Sequence, residues 1–152
     1  MITRATGFAL IGAIFFTAQA HTVQAAVPPL SFEELQQNAQ YIFTGKVVDI
    51  KEEIRETQAL GQSVRDSFYF IKVQVQSAQK GPFEVGQVVT FTAWRPKSRP
   101  DGFAGHQGQN FIPAQGDAIR AYCKLNFGTP MSALEPNGIY KVGGKNKGKG
   151  KR

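Results

Sequence analysis

The densest recognition chemistry in the sequence lies in the run Trp94-Arg95-Pro96-Lys97-Ser98-Arg99-Pro100. An indole can stack on a planar ring, and Arg95, Lys97 and Arg99 beside it can pair with phosphates, as in single-strand nucleic-acid binding. The competing reading packs Trp94 into the end of a β-barrel and leaves the three cations solvated. Downstream, Gly105-His106-Gln107-Gly108-Gln109-Asn110 sets polar side chains on a permissive backbone. There His106, Gln107, Gln109 and Asn110 can hydrogen-bond a ligand, while Gly116-Asp117 reads as a turn. Long connections between strands commonly carry function, so 94–117 is the expected contact surface.

Catalytic patterns are missing from the sequence. It has no glycine-flanked nucleophile elbow, phosphate loop or paired-His motif. Glu33, Glu34, Glu52, Glu53 and Glu56 fall on a helix start or a charged ribbon, where solvation explains them. The chain is therefore expected to be a non-enzyme without a cofactor. A single Cys excludes an intramolecular disulfide framework and a Cys-based zinc site. Cys123 shares a strand face with Ile119 and Ala121 and reads as an inert core thiol. One metal alternative stays open. Cleavage ahead of His21 would free an amine and an imidazole, which with His106 offer three nitrogens suited to Cu(II).

Charge location narrows the partners. The chain carries 18 Lys and Arg against 11 Asp and Glu, a formal +7. Arg4 and the six cations between Lys141 and Arg152 account for the whole excess, and the body between them is formally neutral. Residues 143–152 alternate Lys and Gly without apolar periodicity and are expected to be a disordered basic tail. Such a tail solubilises, or touches polyanions in a salt-sensitive, nonspecific way. The expected partner is a protein or a polyanionic envelope component; no specific nucleic acid is expected.

Residues 1–25 read as a secretory signal: Arg4, an apolar run from Gly7 to Phe16, then Ala18-Gln19-Ala20 and Val23-Gln24-Ala25 as small-residue cleavage sites. The run is short of the roughly 20 residues a membrane span requires. An exported chain, periplasmic or secreted, with no transmembrane segment after processing is the expectation.

The elements that must position the 94–117 surface are short. Ser31 and Glu34 make a capping box and Leu30 with Leu35 a hydrophobic staple, so a helix is predicted from Phe32 to about Asn38 or Ala39. Phe32, Leu35 and Ala39 would form its buried face. Strands are predicted over 41–50, 67–76, 87–95, 118–124 and 139–142. Gly45 marks a bulge or bend in the first, and residues 51–66 read as a polar excursion or a frayed ribbon end. In the second, Tyr69, Ile71, Val73 and Val75 share one face. Five strands, one helix and no βαβ alternation predict a mainly β fold, a five-stranded antiparallel barrel with one short helix before the first strand. It would occupy residues 26–142.

The runs Ser31-Phe32-Glu33-Glu34-Leu35 and Asn38-Ala39-Gln40-Tyr41-Ile42-Phe43-Thr44-Gly45-Lys46-Val47 resemble the opening of netrin-like domains, the class that includes the tissue inhibitors of metalloproteinases. Phe70-Ile71-Lys72-Val73, Lys80-Gly81 and Gly86-Gln87-Val88-Val89-Thr90-Phe91 fit as well. The resemblance covers roughly 31–125 and implies an OB-type barrel used for binding. Inhibitors of that family place an N-terminal Cys on a protease zinc, and neither candidate N-terminus here is Cys. The expected function is an exported, non-catalytic binding or interaction module. A protease inhibitor working through loops and a small copper-binding protein using His21 and His106 are the alternatives.

Overall fold

A computed structural model describes residues 28–59, 61–100, 105–126 and 129–143. The expected leader, with His21, and residues 144–152 of the expected tail lie outside the described residues.

Local chemistry sets the helix. α1 (Phe32–Asn38) begins after Ser31, whose hydroxyl accepts from the Glu34 amide at 3.2 Å while the Glu34 carboxylate accepts from the Ser31 amide at 2.7 Å. This is the reciprocal box that the sequence predicts. The bond from the Ser31 amide, and after it the Ser31 side chain beside the carboxylate, favour the ionised form and hold Glu34 below its usual range. At the other end, Lys80 Nζ donates to the carbonyls of Gln36 and Ala39 at 2.8 Å each, satisfying acceptors near the helix end. Leu35 and Ala39 are buried against Ile42, Tyr122 and Leu134, with Leu30 packed on the same cluster. Phe32 departs from its predicted place: it is exposed and meets only the edge of Tyr122, 6.4 Å away.

Six strands follow: β1 (Tyr41–Ala59), β2 (Gln62–Lys80), β3 (Val88–Ser98), β4 (Ala118–Asn126), β5 (Thr129–Ala133) and β6 (Ile139–Lys141). The predicted five omit β5. Residues 51–66 are not an excursion, because β1 and β2 form one antiparallel hairpin from Ile42↔Lys80 to Ala59↔Gln62. Continuous backbone pairing, with ion pairs such as Lys51–Glu53 and the Ser63–Glu56 bond across the strands, sustains that ribbon, so its side chains need not alternate apolar and polar. The sheet runs β1-β2-β3-β5-β4-β6, and β1 also pairs with β4 over Tyr41–Lys46. The expected all-antiparallel arrangement needs one correction. β5 returns from β4 by a hairpin and thereby runs parallel to β3, pairing Thr92↔Ser132, so the sheet is mixed.

Alternation places the core. Ile71, Val73 and Val75 of β2, Val89, Phe91 and Ala93 of β3, and Ile119, Ala121 and Cys123 of β4 join Phe43 and Val47 on one face. Tyr69, predicted on that face, packs against this core and is half-buried. Burial pushes the Cys123 thiol up, as an inert core thiol requires. Gly45 stands where the β1–β2 register shifts, and a Cβ there would strike the Gln74 carbonyl and Val73. The predicted bend falls at that glycine. Ile42 and its cross-strand partner Tyr122 point to the opposite face of the sheet, where α1 covers them. No helix among the described residues is long and apolar enough to cross a membrane.

Candidate functional site

Strand parity decides where Trp94 goes. Val89, Phe91 and Ala93 face the core, so Thr90, Thr92 and Trp94 face away from it. Trp94 is therefore half-buried on the outer face and not packed into an end of the core. Its neighbours there come from three other segments. Phe68, its cross-strand partner on β2, stacks on it with ring centroids 6.3 Å apart and planes 24° apart. Arg55 of β1 lies over Phe68, its guanidinium carbon 4.3 Å from the ring centroid. On the other side Trp94 Nε1 donates to Glu135 Oε1 at 2.5 Å. The indole is thus fixed in direction by a stack and a charge-assisted bond.

The loop that follows β3 comes back beneath this residue. Gly108 adopts φ +62°, and the Gln109 amide donates to the Trp94 carbonyl at 2.8 Å. A Cβ on Gly108 would collide with that carbonyl and with the indole, so only glycine fits. Gln109 is buried, and its Nε2 donates to the Leu134 carbonyl at 2.7 Å and reaches the Ala133 carbonyl at 3.4 Å. The two carbonyls fix the amide orientation and leave Gln109 Oε1 as a buried acceptor with no donor among the described residues. The Asn110 amide donates to the Pro136 carbonyl at 2.7 Å. The predicted ligand-binding loop is in this respect a strap that ties β3 to the segment after β5.

The predicted cations divide. Lys97 lies 3.5 Å from Glu52, and Arg99 is ion-paired with Asp66. The Ser67 hydroxyl, donating at 2.6 Å, and then Lys97 hold Glu52 below the usual carboxylate range. Arg95 alone of the three has no carboxylate partner among the described residues. It shares a shallow hollow of about 360 Å³ with Gln107, Gln109 and Asn110. Gln107 is exposed, donating to the Gly105 carbonyl at 3.0 Å, and His106 is also exposed. Among the described residues, no three His, Cys, Asp or Glu side chains cluster as a metal site would.

Trp94 belongs instead to a larger open cleft of about 660 Å³ on the outer face of β3, β5 and β4. Phe68 and Trp94 line one part of it, Leu30 and Asn38 near α1 another, and Thr92, Ser132, Lys124 and Asn126 come from the strands between. Glu135 and Gln109 complete the lining. In the order β2-β3-β5, Phe68 is the cross-strand partner of Trp94, and Ser132 is that of Thr92, two residues before the indole. Of the predicted residues, only Trp94 and Gln109 reach this cleft. Phe68, Lys124, Ser132 and Glu135 are additions that the sequence reading missed. Phe68 was visible in part, since it has the wrong parity for the core in the predicted β2 alternation.

No protein-family model matches the chain, and no curated protein or solved structure matches it at a significant level.

Proposed function

We propose that this chain is an exported, non-catalytic binding module built on an OB-type barrel, with the Trp94 cleft as its contact surface. The barrel reading is supported by the pairings, which run β1 to β2, β3, β5 and β4 and back to β1. Open barrels of this type use the face of strands 2 and 3 and the loop between strands 4 and 5 for ligands. Here that region holds Phe68, Trp94 and the start of the β4–β5 hairpin. The netrin-like resemblance points the same way, toward binding without turnover. Export rests on Arg4, the apolar run and the small-residue cleavage sites.

One observation carries the proposal: an indole locked by Phe68 and Glu135 borders an open cleft instead of filling the core. Aromatic anchors of this kind supply contact area at little ordering cost, because their rotamers are already fixed. The basic tail acts as an electrostatic auxiliary. The pairing of Lys97 and Arg99 with carboxylates weighs against a phosphate track at Trp94.

Co-sedimentation with isolated envelopes of the expressing cells tests the reading, comparing full chain, Trp94→Ala, Trp94→Phe and a deletion of 143–152. The expected result is loss of sedimentation for Trp94→Ala, partial retention for Trp94→Phe and near-full retention for the tail deletion. Thermal melts of each variant exclude unfolding as the cause. Undiminished sedimentation of Trp94→Ala would remove the cleft from the proposal.

A further inference from the structure

We propose that the Trp94 cleft takes an uncharged saccharide, one pyranose ring laid against the indole; this rests on the cleft being the contact surface. The first argument is what the indole has left to offer. Its N–H is committed to Glu135 and Phe68 stacks on it from the β2 side, so what it presents to the cleft is π surface. Such a surface takes the C–H face of a sugar ring or the face of a nucleobase.

Charge separates the two. Among the described residues that line the cleft, Lys124 and Glu135 are the only ionisable ones, and formally they cancel. Nearby, Lys97 and Arg99 are each paired with a carboxylate, and Arg95, a single cation, faces the separate hollow with Gln107 and Asn110. A nucleic-acid strand or an acidic polysaccharide needs a run of uncompensated cations along its backbone, and the lining supplies none. Hydroxyl-rich neutral chains need the opposite, dispersed donors and acceptors. Thr92, Ser132 and Asn38 bring hydroxyls and an amide to the lining, with Lys124 as a donor and Glu135 as an acceptor.

Gln109 gives an independent pointer. It lines the cleft, it is 2% exposed, and its Oε1 has no donor among the described residues. A buried acceptor of this kind is costly, and a hydroxyl donor, from the sugar or from a water it holds, relieves it. The cleft volume of about 660 Å³ also falls within the roughly 300–1,000 Å³ of small-ligand sites.

The sequence contains a single tryptophan, so intrinsic fluorescence reads this cleft directly. The full chain is titrated with cellohexaose, maltohexaose and chitohexaose, and in parallel with oligothymidylate and a heparin hexasaccharide. The expected result is a saturable emission change with at least one neutral hexasaccharide, insensitive to added salt. By calorimetry, Trp94→Ala binds that sugar about tenfold more weakly, or about 1.4 kcal/mol, and Trp94→Phe falls between. Silence of all three neutral sugars overturns the inference. If an anionic probe shifts the emission instead, the ligand class is wrong and the cleft reading stands. If every probe is silent and Trp94→Ala still sediments with envelopes, both fail.

Discussion

Two glycines with left-handed backbones separate the cost of strain from the cost of contact. Gly108 has φ +62° and Gly116 φ +90°, so an alanine at either is strained by roughly 1–2 kcal/mol. Around Gly116 nothing lies within 4 Å of a Cβ, and strain is the whole effect. At Gly108 the new methyl meets the Trp94 carbonyl and indole, and the loop must move. That movement gives up the bond from the Gln109 amide to Trp94, about 1 kcal/mol, and disturbs the buried Gln109 amide, about 1–3 kcal/mol more. Gly108→Ala should therefore destabilise by about 3–6 kcal/mol and Gly116→Ala by about 1–2 kcal/mol. Urea unfolding followed by tryptophan emission and far-UV circular dichroism measures both. With a slope of about 2 kcal/mol per molar urea, the midpoints should differ by about 1 M. Native Gly108→Ala should also show altered emission, and Gly116→Ala should not. Coincident midpoints would refute the claim that the loop is seated on Trp94.

Three further outcomes follow from single contacts. Ser31→Ala should cost about 1 kcal/mol in urea unfolding, with Ser31→Asp close to wild type, because the cap needs only an acceptor. Cys123 should be inert to a thiol reagent in the native state and react at once in denaturant; rapid native labelling would contradict its burial. Asp117 is held below its ordinary value of 3.8 by Lys141 at 2.6 Å and by the Ala114 amide at 3.0 Å. A depressed carboxyl stabilises above its unfolded value and loses that contribution as pH falls through its folded value. The melting-temperature gap between wild type and Asp117→Asn should thus be constant above about pH 5 and shrink below about pH 4; a gap that widens in acid would refute the assignment.

What could be read from sequence was what local chemistry decides. The α1 start needed only Ser31, Glu34 and Leu30, and the inward face of β2 needed only the alternation of Tyr69, Ile71, Val73 and Val75. The ribbon over 51–66 was legible only as one of two readings, because Lys51, Glu52, Glu53, Arg55 and Glu56 carry no apolar period that would choose paired strands over a polar excursion. β5, Thr129-Pro130-Met131-Ser132-Ala133, is short, contains a proline, and is held by pairing to β3 and β4. The candidate site was half legible. Parity along Val89, Phe91 and Ala93 already turns Trp94 outward, a signal the barrel-end reading overlooked. Its partners Phe68 and Glu135 lie 26 and 41 positions away and become neighbours only through the sheet order. Likewise Glu52 and Asp66, which pair with Lys97 and Arg99, belong to the charged ribbon, whose register against β3 the sequence does not reveal.

The proposed contact surface is tested most directly by amide and indole chemical-shift mapping of the full chain as a soluble envelope saccharide fraction is added. The account predicts that the lone indole N–H signal moves first, together with the amides of Thr92, Lys124 and Ser132, while residues 143–152 stay in place. Shifts confined to the tail, or an unmoved indole beside clear binding elsewhere, would contradict it.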